Sequence, residues 1–214
     1  MPTYPPEPWH LAGQMYLSLW SVPSRALPPL PAGLRPLTLA GRALMGGAWV
    51  VYENDSVLHY SELLSAVLVR DGRRPRVTIT DIWVDSGPSR DGGRELWGIP
   101  KEMAEFHMNR DQGFQAAATA GAGVLGRASF RGRLPLPGRL PLSYHVAQTL
   151  DGQLKTSPVR CRGTLTIARG DWEVPPGSEL MIPARRPLLS LILRDFGLSF
   201  GSAPSSAPAS RSRT

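Results

Sequence analysis

The sequence predicts a mainly β protein, an antiparallel barrel or sandwich with little helix. Short apolar or alternating runs recur along the chain. They are rich in β-branched residues, as in Val77, Ile79, Ile82 and Val84. Clusters of Gly, Pro, Asp or Asn, such as Asp71-Gly72 and Asp151-Gly152, separate many of them. Regular strands punctuated by turn signals are the mark of barrels and sandwiches.

In chain order, residues 1–11 are rich in proline and aromatic residues and read as an extended arm. Residues 16–22 read as a strand. Residues 24–36 carry several prolines and read as a short turn or helix followed by loop. Further strands are expected near 37–40, 44–53, 60–70, 76–84, 113–119, 124–131, 142–150, 155–168 and 188–194. Helix is expected only over 100–105 and in part of 24–32. No internal repeat is present.

The chain has 214 residues, 42% hydrophobic and 19% charged, which suits one domain with a real core rather than a disordered chain. We expect a single domain over 1–200 and a disordered, low-complexity tail over 201–214. No apolar run approaches the roughly 20 residues of a membrane span, so no membrane insertion is expected. MPTYPPEPWH has no basic region followed by an apolar stretch, so no signal peptide is expected. The one cysteine, Cys161, cannot form an internal disulfide and reads as a buried small apolar residue; a reducing cytoplasm fits best.

A formal net charge of +7 raises the question of an anionic partner. The arginines are spread along the chain without a zinc-finger, basic-zipper or RNA-recognition pattern, so nucleic acid is not the expected partner. The split between the basic types is more informative: 22 of the 24 are Arg, and only Lys101 and Lys155 are Lys. Arginine keeps its proton in proteins, whereas a buried lysine can lose it. Lys155 follows the Asp151-Gly152 turn and reads as a solvated hairpin residue. His10, His59, His107 and His145 are scattered without ligand spacing, so no metal is expected.

Chemistry concentrates in Asp91-Gly92-Gly93-Arg94-Glu95-Leu96-Trp97-Gly98-Ile99-Pro100-Lys101-Glu102-Met103. Trp97, Ile99, Pro100 and Met103 place Lys101 in apolar company. Desolvation disfavours an ammonium and lowers its pKa. Lowering a free lysine's pKa by roughly three units costs around 4 kcal/mol and yields a sizeable nucleophilic fraction at neutral pH.

Gly-Arg-Glu-Leu-x-x-x-Pro-Lys at 93–101 resembles the active-site segment of the acetoacetate decarboxylase family. Tyr60-Ser61-Glu62 resembles that family's Tyr-Thr-Glu segment, and Glu62 lies 39 residues before Lys101, as the family pattern implies. The resemblance covers residues 9 to about 185. It implies an antiparallel β-barrel-like fold, a possible homo-oligomer, and a lysine that forms a Schiff base with a small-molecule oxo acid without a dissociable cofactor. It makes Lys101 the imine-forming nucleophile and Glu62 a proton carrier or orienting carboxylate facing the same pocket. Arg94 is expected either to bind a substrate carboxylate or to form an internal ion pair. Trp97 and Met103 are expected in the pocket wall or core, and Glu95 in a structural role.

Three positions depart from the family. Glu102 follows the reactive lysine where the decarboxylase has a second lysine; if it faced Lys101 it would raise the lysine pKa, but adjacent residues usually point apart. Gln14, in Gln14-Met15-Tyr16, stands where the family has an arginine before an aromatic, and the resemblance makes it a substrate-binding residue. Gly46-Gly47-Ala48 stands where the family has a glutamate. Three functions therefore compete: β-keto-acid decarboxylation; a non-decarboxylating Schiff-base aldolase, dehydratase or cyclase acting on a larger oxo acid; and a non-catalytic small-molecule-binding protein.

Overall fold

Every strand of the central ring turns alternate side chains inward, and this sets the architecture. The computed structural model describes residues 3–111, 113–121 and 123–203. The first strand, β1 (Trp9–Pro23), is followed by a short 3₁₀ turn at Ser24–Ala26, the short strands β2 (Leu34–Pro36) and β3 (Thr38–Leu39), then β4 (Arg42–Tyr52), β5 (Tyr60–Asp71) and β6 (Arg74–Val84). Helix α1 (Gly87–Trp97) leads into β7 (Lys101–Met103), β8 (Glu105–Asn109) and β9 (Phe114–Ala120). Two long strands, β10 (Gly123–Leu150) and β11 (Gln153–Glu173), and finally β12 (Leu189–Phe200) complete the sheet.

The order is β7-β6-β5-β4-β1-β12-β11-β10-β9-β8, and a pairing of β6 with β10 at Val77 and Val146 closes it. Seven strands therefore form a barrel-like ring. Its interior is one apolar cluster to which each contributes: Leu11 from β1, Val50 from β4, Tyr60 from β5, Ile82 from β6, Val146 from β10, Val159 from β11 and Phe196 from β12. The opposite faces are buried too. Trp49, Leu63 and Trp83 pack under Phe114 and Phe130, where β8, β9 and the first half of β10 fold over the ring. Trp20, Met45, Val67 and Val69 form a third cluster. Burial on both faces explains why the strands read as continuous apolar runs rather than clean alternations.

The mainly β expectation holds, with longer strands than expected. The runs at 124–131 and 142–150 are one strand whose pairing with β11 breaks between Gly132 and Leu134 and again between Pro135 and Arg139. The helix expected over 100–105 is corrected. Residues 101–103 are a strand parallel to β6, with Lys101 opposite Ile82 and Met103 opposite Val84. The helix lies upstream. Ser86 caps it through its side chain, Pro88 sits in its first turn, and Gly98 ends it with φ 66°, a left-handed conformation suited to glycine. Gly92 and Gly93, poor helix formers, masked it. Of the expected tail, residues from 204 on lie outside the described residues. Among the described residues no helix is long and apolar enough to cross a membrane.

Candidate active site

The connection from β6 through α1 to β7 brings the chemistry to one end of the ring. Lys101 opens β7 and is 3% exposed, with its side chain turned into the ring. Helix α1 lies over it. Ser89 and Gly93 are one turn apart on the buried face of α1 and leave room for the lysine stem. A Cβ at Gly93 would stand 2.7 Å from Lys101 Cδ and 2.9 Å from Cε. A Cβ at Gly92 would stand 2.5 Å from the Trp9 ring. The paired glycines are therefore a packing requirement on both sides of the helix.

Lys101 Nζ donates to three acceptors: Ser89 Oγ at 2.9 Å, Glu62 Oε2 at 3.0 Å and Tyr60 OH at 3.3 Å. An ammonium has three donors, and here each has a partner. Nζ also lies 4.9 Å from the centre of the Tyr60 ring. Glu62 is 4% exposed and receives a further, long hydrogen bond of 3.4 Å from Tyr52 OH. Lys101, Glu62, Tyr60 and Tyr52 line a cavity of about 40 Å³ whose other walls include Trp97 and Ile99.

The protonation expected for Lys101 is corrected here. Burial pushes its pKa down, but the Glu62 carboxylate, Tyr60 and their hydrogen bonds outweigh burial and leave it above the ordinary 10.5. Glu62 is placed to receive a proton from Nζ. Burial also raises Tyr52 well above 10.0, with Glu62 adding to the effect. Tyr60 is raised as well, by burial against the opposing pull of Lys101.

The other sequence-chosen residues divide. Trp97 is buried, lines the cavity and donates to Glu7 Oε2 at 2.9 Å. Arg94 points elsewhere: its Nε donates to the Lys101 carbonyl at 2.7 Å and its Nη2 pairs with Glu102. The internal ion pair is realised, and the guanidinium does not line the cavity. Glu102 faces outward, so it leaves the amine undisturbed. Met103 is corrected: it is 39% exposed, neither pocket wall nor core. Gln14 does not line the cavity; it accepts from Tyr16 OH at 3.0 Å and donates to Glu53 at 3.3 Å. A Cβ on Gly47 would meet Trp20, Ile182 and Trp172, so that position belongs to the packing outside the ring. The β4 residues facing inward are Ala48, Val50 and Tyr52, which offer no second carboxylate. Lys155 pairs with Glu7 at 3.5 Å. Cys161 is buried, and burial pushes its thiol up to about 11.

Sequence reasoning did not select Ser89, Tyr60 or Tyr52 as site residues. Ser89 carried a signal, because its four-residue spacing from Gly93 places both on one helix face. Tyr52 carried none, since its approach follows from the cross-strand pairing of Tyr52 with Tyr60. Among the described residues no group of three or more His, Cys, Asp or Glu side chains is placed to hold a metal.

The closed, mainly β ring is that of the acetoacetate decarboxylase-like fold, and in this chain it holds a buried lysine–carboxylate pair under α1. The family model for acetoacetate decarboxylase matches residues 2–149, and the chain belongs to that family. Among solved structures, an acetoacetate decarboxylase from Legionella pneumophila superposes with TM-score 0.69 at 16% identity, covering 97% of this chain and 90% of that one. The enduracididine biosynthesis enzyme MppR complexed with pyruvate gives TM-score 0.63 at 20% identity, over 92% of this chain and 90% of that one. An acetoacetate decarboxylase-like enzyme from Sphingomonas wittichii gives 0.62 at 17% identity, over 92% and 91%. At these identities the likeness is one of fold. No curated protein sequence matches the chain.

Proposed function

We propose that this protein is a Schiff-base lyase acting on a small oxo acid, with Lys101 as nucleophile and Glu62 as proton carrier. One observation carries the reading: the amine of Lys101, buried in a cavity, sits 3.0 Å from the Glu62 carboxylate. An apolar wall with one ion pair is an arrangement that stability alone does not favour.

The resting ammonium gives its proton to Glu62, and the neutral amine attacks the substrate carbonyl carbon. A C–N bond forms as the carbonyl electron pair moves to oxygen. Glu62 returns the proton to that oxygen, then takes a second from the nitrogen and passes it to the new hydroxyl; water leaves, and a protonated imine remains. Tyr60 and Ser89 accept from the nitrogen before attack, and the single N–H of the imine keeps one of these acceptors. In a β-keto acid, the bond to the carboxylate then breaks, carbon dioxide departs, and the electron pair flows to the imine nitrogen. The enamine carbon takes a proton, and water hydrolyses the imine to release the ketone and the amine. The lysine itself is the electron sink, so the sequence requires no cofactor.

A second reading is favoured by the likeness to the enduracididine biosynthesis enzyme MppR, whose structures hold pyruvate and a condensation product of pyruvate with an aldehyde. Glu62 also suits removal of a proton from the carbon beside the imine, which leads to aldol addition or dehydration. Two measurements test these readings: carbon dioxide release from acetoacetate, and exchange of the methyl hydrogens of pyruvate with deuterated water followed by NMR. Release supports decarboxylation; exchange without release supports the second reading. Neither, in a folded protein, leaves the non-catalytic binding protein.

A further inference from the structure

The Lys101 cavity is small. At about 40 Å³ it has room for about three water-sized groups, enough for a carbonyl and its immediate substituents. Even a short oxo acid has more atoms than that. A second, open cleft of about 810 Å³ also has Tyr52 in its wall. Among the described residues Tyr52 is the one that lines both spaces.

We propose that Tyr52 is a specificity-determining partition: the carbonyl end of the substrate enters the Lys101 cavity past its ring, and a polar remainder lies in the cleft. This rests on the imine reading of Lys101. Tyr52 is the last residue of β4, so its ring borders a loop rather than a continuing strand. Its hydroxyl donates a long bond of 3.4 Å to Glu62. Its ring leans against Tyr60 at 4.5 Å and meets Phe196 edge-on at 6.0 Å. Turning the ring toward the cleft exchanges these two aromatic contacts and the long bond for contact with the substrate.

The cleft is lined by Glu53, Asp55, Arg110, Arg139 and Asp195, which suits a polar tail rather than a hydrocarbon one. Arg110 is paired with Glu53 at 2.8 Å. Arg139 uses Nη2 on the carbonyls of Asp195 and Arg162, and its other nitrogens have no protein partner among the described residues. Gly197 also lines the cleft, and a Cβ there would meet nothing within 4 Å. A larger residue at 197 would fill the cleft without disturbing the fold.

The test compares adducts at Lys101, read by peptide mass spectrometry, after borohydride reduction with pyruvate, 2-oxoadipate or 2-oxooctanoate. Wild type favours 2-oxoadipate over 2-oxooctanoate; equal yields overturn the polar-tail claim. Tyr52→Ala raises the yield of the longer acids relative to pyruvate about tenfold, whereas Tyr52→Phe keeps the ratio within about twofold. Gly197→Leu lowers the ratio of 2-oxoadipate to pyruvate. Ratios unmoved in both Tyr52→Ala and Gly197→Leu overturn the partition. A parallel arm uses formaldehyde and 4-carboxybenzaldehyde with cyanoborohydride, which reports access to the amine irrespective of catalysis. If wild type traps no oxo acid, the imine reading fails, and the aldehyde ratios still decide the role of Tyr52.

Discussion

Gly93 and the side chain of Lys101 compete for one volume: a Cβ at 93 would lie 2.7 Å from Lys101 Cδ. Replacing an interior helical glycine with alanine ordinarily stabilises a helix by about 1 kcal/mol. At Gly93 the sign reverses, because the helix or the lysine must shift. Gly93→Ala is expected to destabilise by about 1–3 kcal/mol and to cut adduct formation at Lys101 about a hundredfold. Gly87→Ala, where the added Cβ meets nothing within 4 Å, is the control and keeps both properties. Thermal unfolding and adduct yield check the pair.

The buried Lys101–Glu62 pair is expected to be a stability liability retained for chemistry. Lys101→Met or Glu62→Leu alone strands a buried charge and costs about 3–5 kcal/mol. The double variant removes both charges and is expected to recover most or all of that loss. Denaturant titration of the four proteins gives the coupling. A double variant as unstable as the sum of the singles would contradict this.

Glu62 raises the Lys101 pKa, so Glu62→Gln must lower it. The pH profile for labelling of Lys101 by a small amine reagent is expected to move to lower pH in this variant. Imine formation is nevertheless expected to slow by about 10²–10⁴-fold, because the group that moves protons is gone. Labelling and turnover thus change in opposite directions, which general damage to the fold would not produce.

Lys101, Tyr52 and Tyr60 all have raised pKa values in the folded protein. Above their unfolded values, 10.0 for the tyrosines and 10.5 for the lysine, the unfolded chain loses protons that the folded chain keeps. Their contribution is therefore complete below about pH 10 and falls as pH rises toward the folded values. Melting temperature is expected to drop steeply above pH 10, and less steeply in Tyr52→Phe.

The sequence made the β class, the lysine and its acidic partner legible, through turn signals, through a chain that uses lysine only twice, and through two short motifs. It misplaced the helix. Gly92-Gly93 argues locally against helix, but Ser86, Pro88 and Gly98 cap it and tertiary packing demands small residues there. It also left out the pull of Glu62 on the Lys101 pKa, because apolar neighbours in the chain are visible while the distance to Glu62 is set by strand register. Arg94 shows the same limit: its choice of Glu102 over a substrate depends on where β7 runs.

The central claim is that Lys101 forms an imine with an oxo acid. Reduction with borohydride in the presence of pyruvate, followed by mass mapping of the peptides, tests it most directly. The account predicts a reduced pyruvyl adduct on Lys101 in wild type and none in Lys101→Ala. An unmodified Lys101 peptide, or an equal adduct in the alanine variant, would contradict it.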